Sequence, residues 1–193
     1  MLILILGLVL FLGPHSVRIF ADGWRTRQIA GLGELKWKGL YSAVSGVGLV
    51  LIIYGYGLAR VAPLVLWTPP VWARHLTGPL TLIAFILLAA AYIPRNHIKA
   101  RIGHPMLLAV KVWAFAHLLA NGTLNAVVLF GAFLTWAVMD FIVARRRDRA
   151  AGTVYPPGTP ARDVVAAAVG IVAWAIFAFA LHAWWIGVSP FGG

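Results

Sequence analysis

At the centre of the sequence stands GHPMLLAVKVWAFAHLLANG, residues 103–122, which is apolar enough to cross a membrane yet contains two histidines, a lysine and an asparagine. An ionisable side chain in a bilayer core costs roughly 2.5–3.5 kcal/mol on insertion scales, so such residues usually face the protein interior and often carry function. This helix is therefore expected to lie inside a bundle formed by the rest of the chain.

The whole chain has the composition of an integral membrane protein. Hydrophobic residues make up 62% of it, which is too apolar for an ordinary soluble domain. Charge-free runs cover 1–17, 39–59, 75–94, 112–139 and 164–193, each near the roughly 17–25 residues that a spanning helix needs. The run 112–139, extended by the apolar residues before it, is about twice that length and is broken at Asn121-Gly122, a turn signal.

These runs predict an all-α, polytopic transmembrane helix bundle with six spans. The spans are expected at 2–20, 38–59, 77–94, 104–120, 124–144 and 163–187. The first is interpreted as a retained span, because its positive charge follows the apolar run instead of preceding it. A single domain is expected to cover 1–193, with 145–162 as a polar, mobile cytoplasmic linker before the last span.

The distribution of basic residues predicts the orientation. The net charge is +11, but the cations lie in short loops beside the spans, which does not favour a nucleic-acid partner. With the N-terminus outside, inner loops carry thirteen of the sixteen Lys and Arg residues, outer loops carry two, and Lys111 lies within a span. This split follows the positive-inside rule with both termini outside. The thirteen are Arg18, Arg25, Arg27, Lys36, Lys38, Arg95, Lys99, Arg101, Arg145, Arg146, Arg147, Arg149 and Arg162.

Two histidines are expected at the same depth in the bilayer. His15 lies near the inner end of the first span, and His104 begins the fourth at the same boundary. His117 is thirteen residues beyond His104, or roughly 20 Å along a helix, so it cannot share a metal with His104 and instead matches His182 in depth. Each histidine also has a structural interpretation: His15 bonded to a carbonyl, His104 as part of a helix start at Pro105, and His117 satisfied by Asn121.

Level imidazoles between apolar helices suit the axial ligation of b-type haem. The absence of cysteine excludes covalent C-x-x-C-H haem attachment and thiolate metal sites, and there is no zinc motif. Arg18, Arg95, Lys99 and Arg101 are placed to face haem propionates. His15 and His104 are the predicted iron ligands, with His117 in reserve.

A carboxylate and a lysine are expected near His104. Asp140 and His104 each lie eighteen residues from Gly122, on antiparallel spans, so Asp140 is placed to accept the second ring N–H of His104. Alternatively, Asp140 pairs with Arg145–Arg147 or with Lys111. Lys111 is seven residues from His104, on nearly the same helix face.

Seven short motifs of the chain occur together: GPHSVR (13–18), YGY (54–56), LWTPP (66–70), HPMLL (104–108), KVW (111–113), HLLANG (117–122) and Trp136–Asp140. In this combination they resemble the NnrU family. The resemblance implies a protein of the bacterial inner membrane associated with denitrification, alongside nitrite and nitric oxide reductases. The plant relative zeta-carotene isomerase implies b-haem held by two histidines and a haem-dependent isomerisation.

Two alternatives remain open from the sequence. One is a non-catalytic membrane assembly or regulatory factor for denitrification enzymes. The other follows a weaker resemblance of the segment around Arg101 and His104-Pro105 to the R-H-P segment of isoprenylcysteine methyltransferases and sterol reductases, and it implies a soluble cofactor at the inner face. Whether the protein is an enzyme stays open.

Overall fold

The computed structural model describes residues 1–191, most of which are helical. The helices are α1 Leu2–Phe20, α2 Asp22–Leu32, α3 Glu34–Ala59, α4 Val71–Tyr92, α5 His97–Ile102, α6 Pro105–Ala120, α7 Leu124–Ala151, α8 Pro160–Ile176 and α9 His182–Ile186, with a π-helical turn Phe177–Leu181 between the last two.

Five stretches of helix are long and apolar enough to cross a membrane: α1, α3, α4, α7 and the continuous run Pro160–Ile186. The protein is therefore a helical membrane protein, as the composition predicts. Helix α6 is equally apolar but has only 16 residues, or roughly 24 Å of helix at 1.5 Å per residue. Large apolar side chains on these helices stay exposed, such as Val50 at 64% and Ile53 at 66%, as expected for surfaces that face lipid.

The helix boundaries differ from the predicted spans where polar residues continue a helix. Helices α2 and α5 lie in the loops between the predicted spans, where no helix was predicted. Helix α4 begins at Val71 instead of near 77, and α7 continues to Ala151 instead of ending near 144. At α7 a run of charged and small residues, 145–151, remains helical beyond the apolar part that the sequence identified. At α4 the helix includes Arg74 and His75, which precede the predicted span.

The chain forms two compact units. The first consists of Met1–Thr68 with Asn121–Asp140, and the second of Pro69–Ala120 with the chain from Phe141 onward.

In the first unit, glycines bring α1 and α3 into backbone contact. A Cβ on Gly48 would lie 2.5 Å from the Phe11 nitrogen, and one on Gly7 would lie 2.6 Å from the Ile52 nitrogen. Gly55 meets the backbone of Leu4 in the same way. Gly48 and Gly55 of α3 therefore permit a close crossing with α1, as small residues do between membrane helices.

In the same unit, two connections between helices are hydrogen-bonded to each other. Val65 and Thr123 form an antiparallel bridge, and the Gly122 carbonyl accepts hydrogen bonds from the backbone N–H of Leu66 at 2.8 Å and of Trp67 at 3.2 Å. The α3–α4 connection and the α6–α7 turn are therefore held together.

In the second unit, α4 is flanked by α6 and α8. The Thr77 hydroxyl donates to the Ala116 carbonyl at 3.1 Å, and the Trp174 Nε1–H donates to the Thr81 hydroxyl at 3.1 Å. Gly170 faces the backbone of Ile86, with room for no side chain. These contacts fix the helices that carry the polar residues of this unit.

Candidate functional site

His15 lies among aromatic rings in the first unit. It stacks on Phe11 with ring centroids 4.5 Å apart, and it lies 5.0 Å from the Tyr41 ring and edge-on to Trp136 at 5.9 Å. Its Nδ1 is 2.6 Å from the Phe11 carbonyl. Because a carbonyl only accepts, Nδ1 carries the proton and Nε2 carries the lone pair.

This arrangement fits one axial ligand of a haem. Metal-ligating histidines commonly donate one ring N–H to a carbonyl, which fixes the tautomer and directs the other nitrogen to the metal. The surrounding rings supply the apolar environment that a macrocycle requires. The Trp136 Nε1 is buried, and within the described residues it has no hydrogen-bond partner.

His104 belongs to a hydrogen-bonded network in the second unit. Its Nε2 lies 2.8 Å from Asp148 Oδ2, and the Tyr155 hydroxyl donates to the same oxygen at 2.7 Å. Arg145 lies 3.9 Å from that carboxylate. Gly103, with φ +78, allows the chain to turn into α6 beneath Tyr155, where a Cβ would approach the phenol to 2.9 Å.

Tyr155 is held in its neutral form. Burial and the hydrogen bond to Asp148 raise the pKa of its phenol to about 12, because both disfavour the phenolate. The phenol is therefore a hydrogen-bond donor throughout the physiological pH range. The carboxylate, phenol and imidazole together form a polar cluster, which we name the His104–Asp148–Tyr155 network.

The network bears on the predicted ligand role of His104. A haem iron takes an imidazole lone pair, whereas Nε2 of His104 donates its proton to Asp148 in this structure. His104 therefore fits as an Nε2 ligand only if that hydrogen bond is broken. His15 and His104 also belong to different units, so their pairing on one iron stays a prediction.

The expected carboxylate partner of His104 is corrected by the structure. Asp148, and not Asp140, accepts from His104. The reason is that α7 continues helically to Ala151, so a residue two turns beyond Asp140 reaches the start of α6. Asp140 belongs to the first unit, where its charge acts on Tyr41.

The other predicted residues have the following positions. Lys111 places its Nζ 3.6 Å from the centroid of the Phe141 ring, and His104 lies edge-on to the same ring at 6.4 Å. Arg101 lies in the last turn of the short helix α5, and Asn121 begins the α6–α7 turn. Arg18 lies in the last turn of α1.

His117 and His182, which the sequence predicts at a common depth, both belong to the second unit. Nδ1 of His117 is 2.8 Å from the Trp113 carbonyl, and Nδ1 of His182 is 2.6 Å from the Val188 carbonyl. His117 therefore shows the same Nδ1 pattern as His15. Among the residues 1–191, no group of three or more His, Cys, Asp or Glu side chains could hold a metal ion.

Several polar residues of the second unit were not identified from the sequence. His97 donates from its backbone N–H and bonds through Nδ1 to Asp163, at 2.7 and 2.6 Å. Asp148 and Tyr155 lay in a segment predicted to be a mobile linker. The contacts of His97 with Asp163, and of His104 with Asp148 and Tyr155, join residues 44 to 66 positions apart along the chain, and no local spacing signals such contacts.

Comparison with known proteins supports one assignment. The sequence profile of the family described as NnrU protein matches residues 3–190, nearly the whole chain. Neither the curated proteins nor the solved structures contain a match. The chain therefore belongs to the NnrU family.

Proposed function

We propose that this NnrU-family protein binds b-type haem in the bacterial cytoplasmic membrane, with His15 as one axial ligand. The observation that carries the proposal is the His15 site, where a carbonyl fixes Nδ1–H and three aromatic rings surround the imidazole. When bound, haem would supply a redox-active iron. The His15 imidazole, oriented by the Phe11 carbonyl, would hold that iron. Phe11, Tyr41 and Trp136 would keep water away.

The second ligand has two candidates with different requirements. His104 must first lose its hydrogen bond to Asp148, whereas His117 already has its Nδ1–H committed to a carbonyl. Arg18 and Arg101 are the cations proposed to face the haem propionates. Lys111, seven residues from His104 on nearly the same helix face, is a further proposed cation of the site. The processes we propose for the haem are nitrite or nitric oxide respiration, with a reductase system as partner, or a haem-dependent cis-trans isomerisation.

The proposal includes six membrane crossings with both termini outside. Two contacts support α6 as a crossing in addition to the five long helical stretches, because they show that α6 runs along α4. Tyr92 contacts Met106 at one end of α6, and Thr77 bonds to Ala116 at the other. A 16-residue helix is close to the roughly 17-residue lower limit for a span. The thirteen-to-two division of basic residues supports the orientation.

Absorption spectra of the detergent-purified full-length protein, oxidised and reduced, test the haem proposal. After expression with adequate haem, the wild type is expected to show a Soret band and a pyridine-haemochrome signal. His15→Ala is expected to lose most of both, with His75→Ala as the matched control, because His75 lies outside the His15 site and the His104–Asp148–Tyr155 network. A colourless wild type would refute haem binding, and an unchanged His15→Ala spectrum would refute the ligand assignment.

The same spectra identify the second ligand. The spectra of His104→Ala and His117→Ala are expected to differ, because only the loss of the second axial ligand changes the spin state of the iron. Asp148→Asn separates the two further, because it weakens the bond that holds the His104 Nε2 proton and so favours His104 as a ligand. If neither alanine variant changes the spectrum, His15 is the only protein ligand among these three histidines.

A second candidate function is a non-catalytic assembly or regulatory factor for denitrification enzymes. The specific observation in its favour is that the ring nitrogens described for His15, His104 and His117 already have protein partners. It predicts a colourless protein whose His15→Ala and His104→Ala variants insert normally and still support denitrifying growth. Loss of growth in variants that insert normally would contradict it.

A further inference from the structure

A basic cavity lies beside the His104–Asp148–Tyr155 network in the second unit. Its volume is about 420 Å³, within the roughly 300–1,000 Å³ range of small-molecule sites. We propose that this cavity binds the phosphate group of an anionic phospholipid. Its polar lining consists of three arginines, one carboxylate and two hydroxyl side chains: Arg101, Arg145, Arg149, Asp148, Thr153 and Tyr155.

The end of α7 builds the cavity. Gly152, with φ +61, reverses the chain after Ala151. The Thr153 backbone N–H then donates to the Asp148 carbonyl at 2.9 Å, and the Tyr155 hydroxyl returns to the Asp148 side chain. The segment with Thr153 is therefore held against α7, so hydrogen bonds within the folded unit fix this side of the cavity.

The three guanidinium groups around this cavity carry more positive charge than the neighbouring carboxylates neutralise. Asp148 borders Arg145 but also accepts from His104 and Tyr155. Asp163, which acts on Arg101, is bonded to His97. Within residues 1–191, Arg149 forms no ion pair with a carboxylate. Arginine guanidinium groups present paired donors that match phosphate oxygens, so a phosphate is the complementary ligand.

The position of the cavity along α7 favours a lipid as the source of that phosphate. The apolar part of α7 ends at Ala144, and arginines begin at Arg145. This change marks the boundary between hydrocarbon and water, where lipid headgroups lie, and basic pockets at this depth recognise anionic headgroups. Ala100 and Val154 add apolar surface to the lining. The inference does not depend on haem binding.

Native mass spectrometry of the full-length protein tests the assignment. Samples in detergent would receive phosphatidylglycerol, the zwitterionic phosphatidylcholine, or the soluble glycerol 3-phosphate. We expect preferential retention of phosphatidylglycerol, no displacement of it by glycerol 3-phosphate, and about five-fold weaker retention in Arg149→Gln, as expected for one basic contact near a membrane surface. Arg149→Lys is expected to lose less, because it keeps the charge but not the paired donors.

Arg146→Gln is the matched control, since it removes one exposed charge from the same helix outside the cavity. Equal losses in Arg146→Gln and Arg149→Gln would indicate diffuse attraction and overturn the proposal. Equal retention of phosphatidylcholine would also overturn it. Displacement by glycerol 3-phosphate would assign the cavity to a soluble phosphate ester and overturn the lipid assignment.

Discussion

A single carboxylate oxygen organises the polar residues of the second unit. Asp148 Oδ2 receives bonds from the His104 imidazole at 2.8 Å and from the Tyr155 phenol at 2.7 Å. Hydrogen bonds to a charged acceptor are stronger than neutral ones. The carboxylate therefore fixes both the tautomer of His104 and the return of the chain after α7.

Tyr155→Phe is expected to destabilise the protein by about 1–2 kcal/mol, because it removes a bond to a charged but partly exposed acceptor. The loss should depend on pH. An unfolded tyrosine ionises near pH 10, whereas the phenol of folded Tyr155 has its pKa raised to about 12. The stabilisation is thus fully present below about pH 10 and lost as pH rises towards the folded pKa.

Urea unfolding of wild type and Tyr155→Phe across this pH range measures the effect. The difference in unfolding free energy should be constant below about pH 10 and shrink above it. Tyr54→Phe is the control, because Tyr54 is 59% exposed on α3. A difference that stays unchanged up to pH 12 would contradict the assigned bond between Tyr155 and Asp148.

The sequence identified the polar residues that lie in apolar runs better than those that lie in charged segments. His15 was recognised because a histidine within an apolar run is itself a signal. Asp148 was missed because the predicted span ended at 144, and a carboxylate among arginines is typical of a solvated helix end. Its role depends on α7 remaining helical to Ala151 and on a contact with a residue 44 positions away.

Among the helices, the α1–α3 pair depends most directly on side-chain size. A Cβ at Gly48 would meet the Phe11 nitrogen at 2.5 Å and the Leu10 carbonyl carbon at 2.8 Å. Both are backbone atoms, so no side-chain rotation relieves the overlap. The helices themselves must separate to accept a larger residue.

Gly48→Ala is therefore expected to cost about 1–3 kcal/mol, the range for overpacking a well-packed site. Gly46→Ala, two residues earlier on α3, is the matched control, because a Cβ there has nothing within 4 Å. It should leave stability unchanged or raise it by up to about 1 kcal/mol through helix propensity. Thermal unfolding in detergent compares the two, and equal midpoints would show that the close crossing is absent.

The helices whose existence the sequence predicted are those with continuous apolar runs, such as α1 and α3. Helices α2 and α5 were missed for a physical reason. Neither helix contains a buried residue, so neither has an apolar run long enough to signal a span. In α5 the Asn96 side chain caps the helix by accepting from the Lys99 backbone N–H at 2.7 Å, whereas α2 has no side-chain cap and carries Asp22 in its first turn.

At the scale of the whole molecule, the arrangement in the membrane is the main prediction that remains to be tested. Because the chain contains no cysteine, a single introduced cysteine reports its own side of the membrane without background. Ala62 lies in the α3–α4 connection, Thr123 in the α6–α7 turn and Ala150 near the end of α7. These positions sample both proposed surfaces.

In intact cells, a membrane-impermeant maleimide is expected to label Ala62→Cys and Thr123→Cys, whereas Ala150→Cys should require permeabilised cells. The first two should agree, because Val65 and Thr123 are bridged at one end of the first unit. The third should differ, because the positive-inside rule predicts that the arginines at the end of α7 lie on the cytoplasmic side. Labelling of Ala150→Cys alone would show that the protein has the opposite orientation in the membrane. Labelling of all three from outside would mean that α7 does not cross the membrane, and the six-span topology would then be wrong.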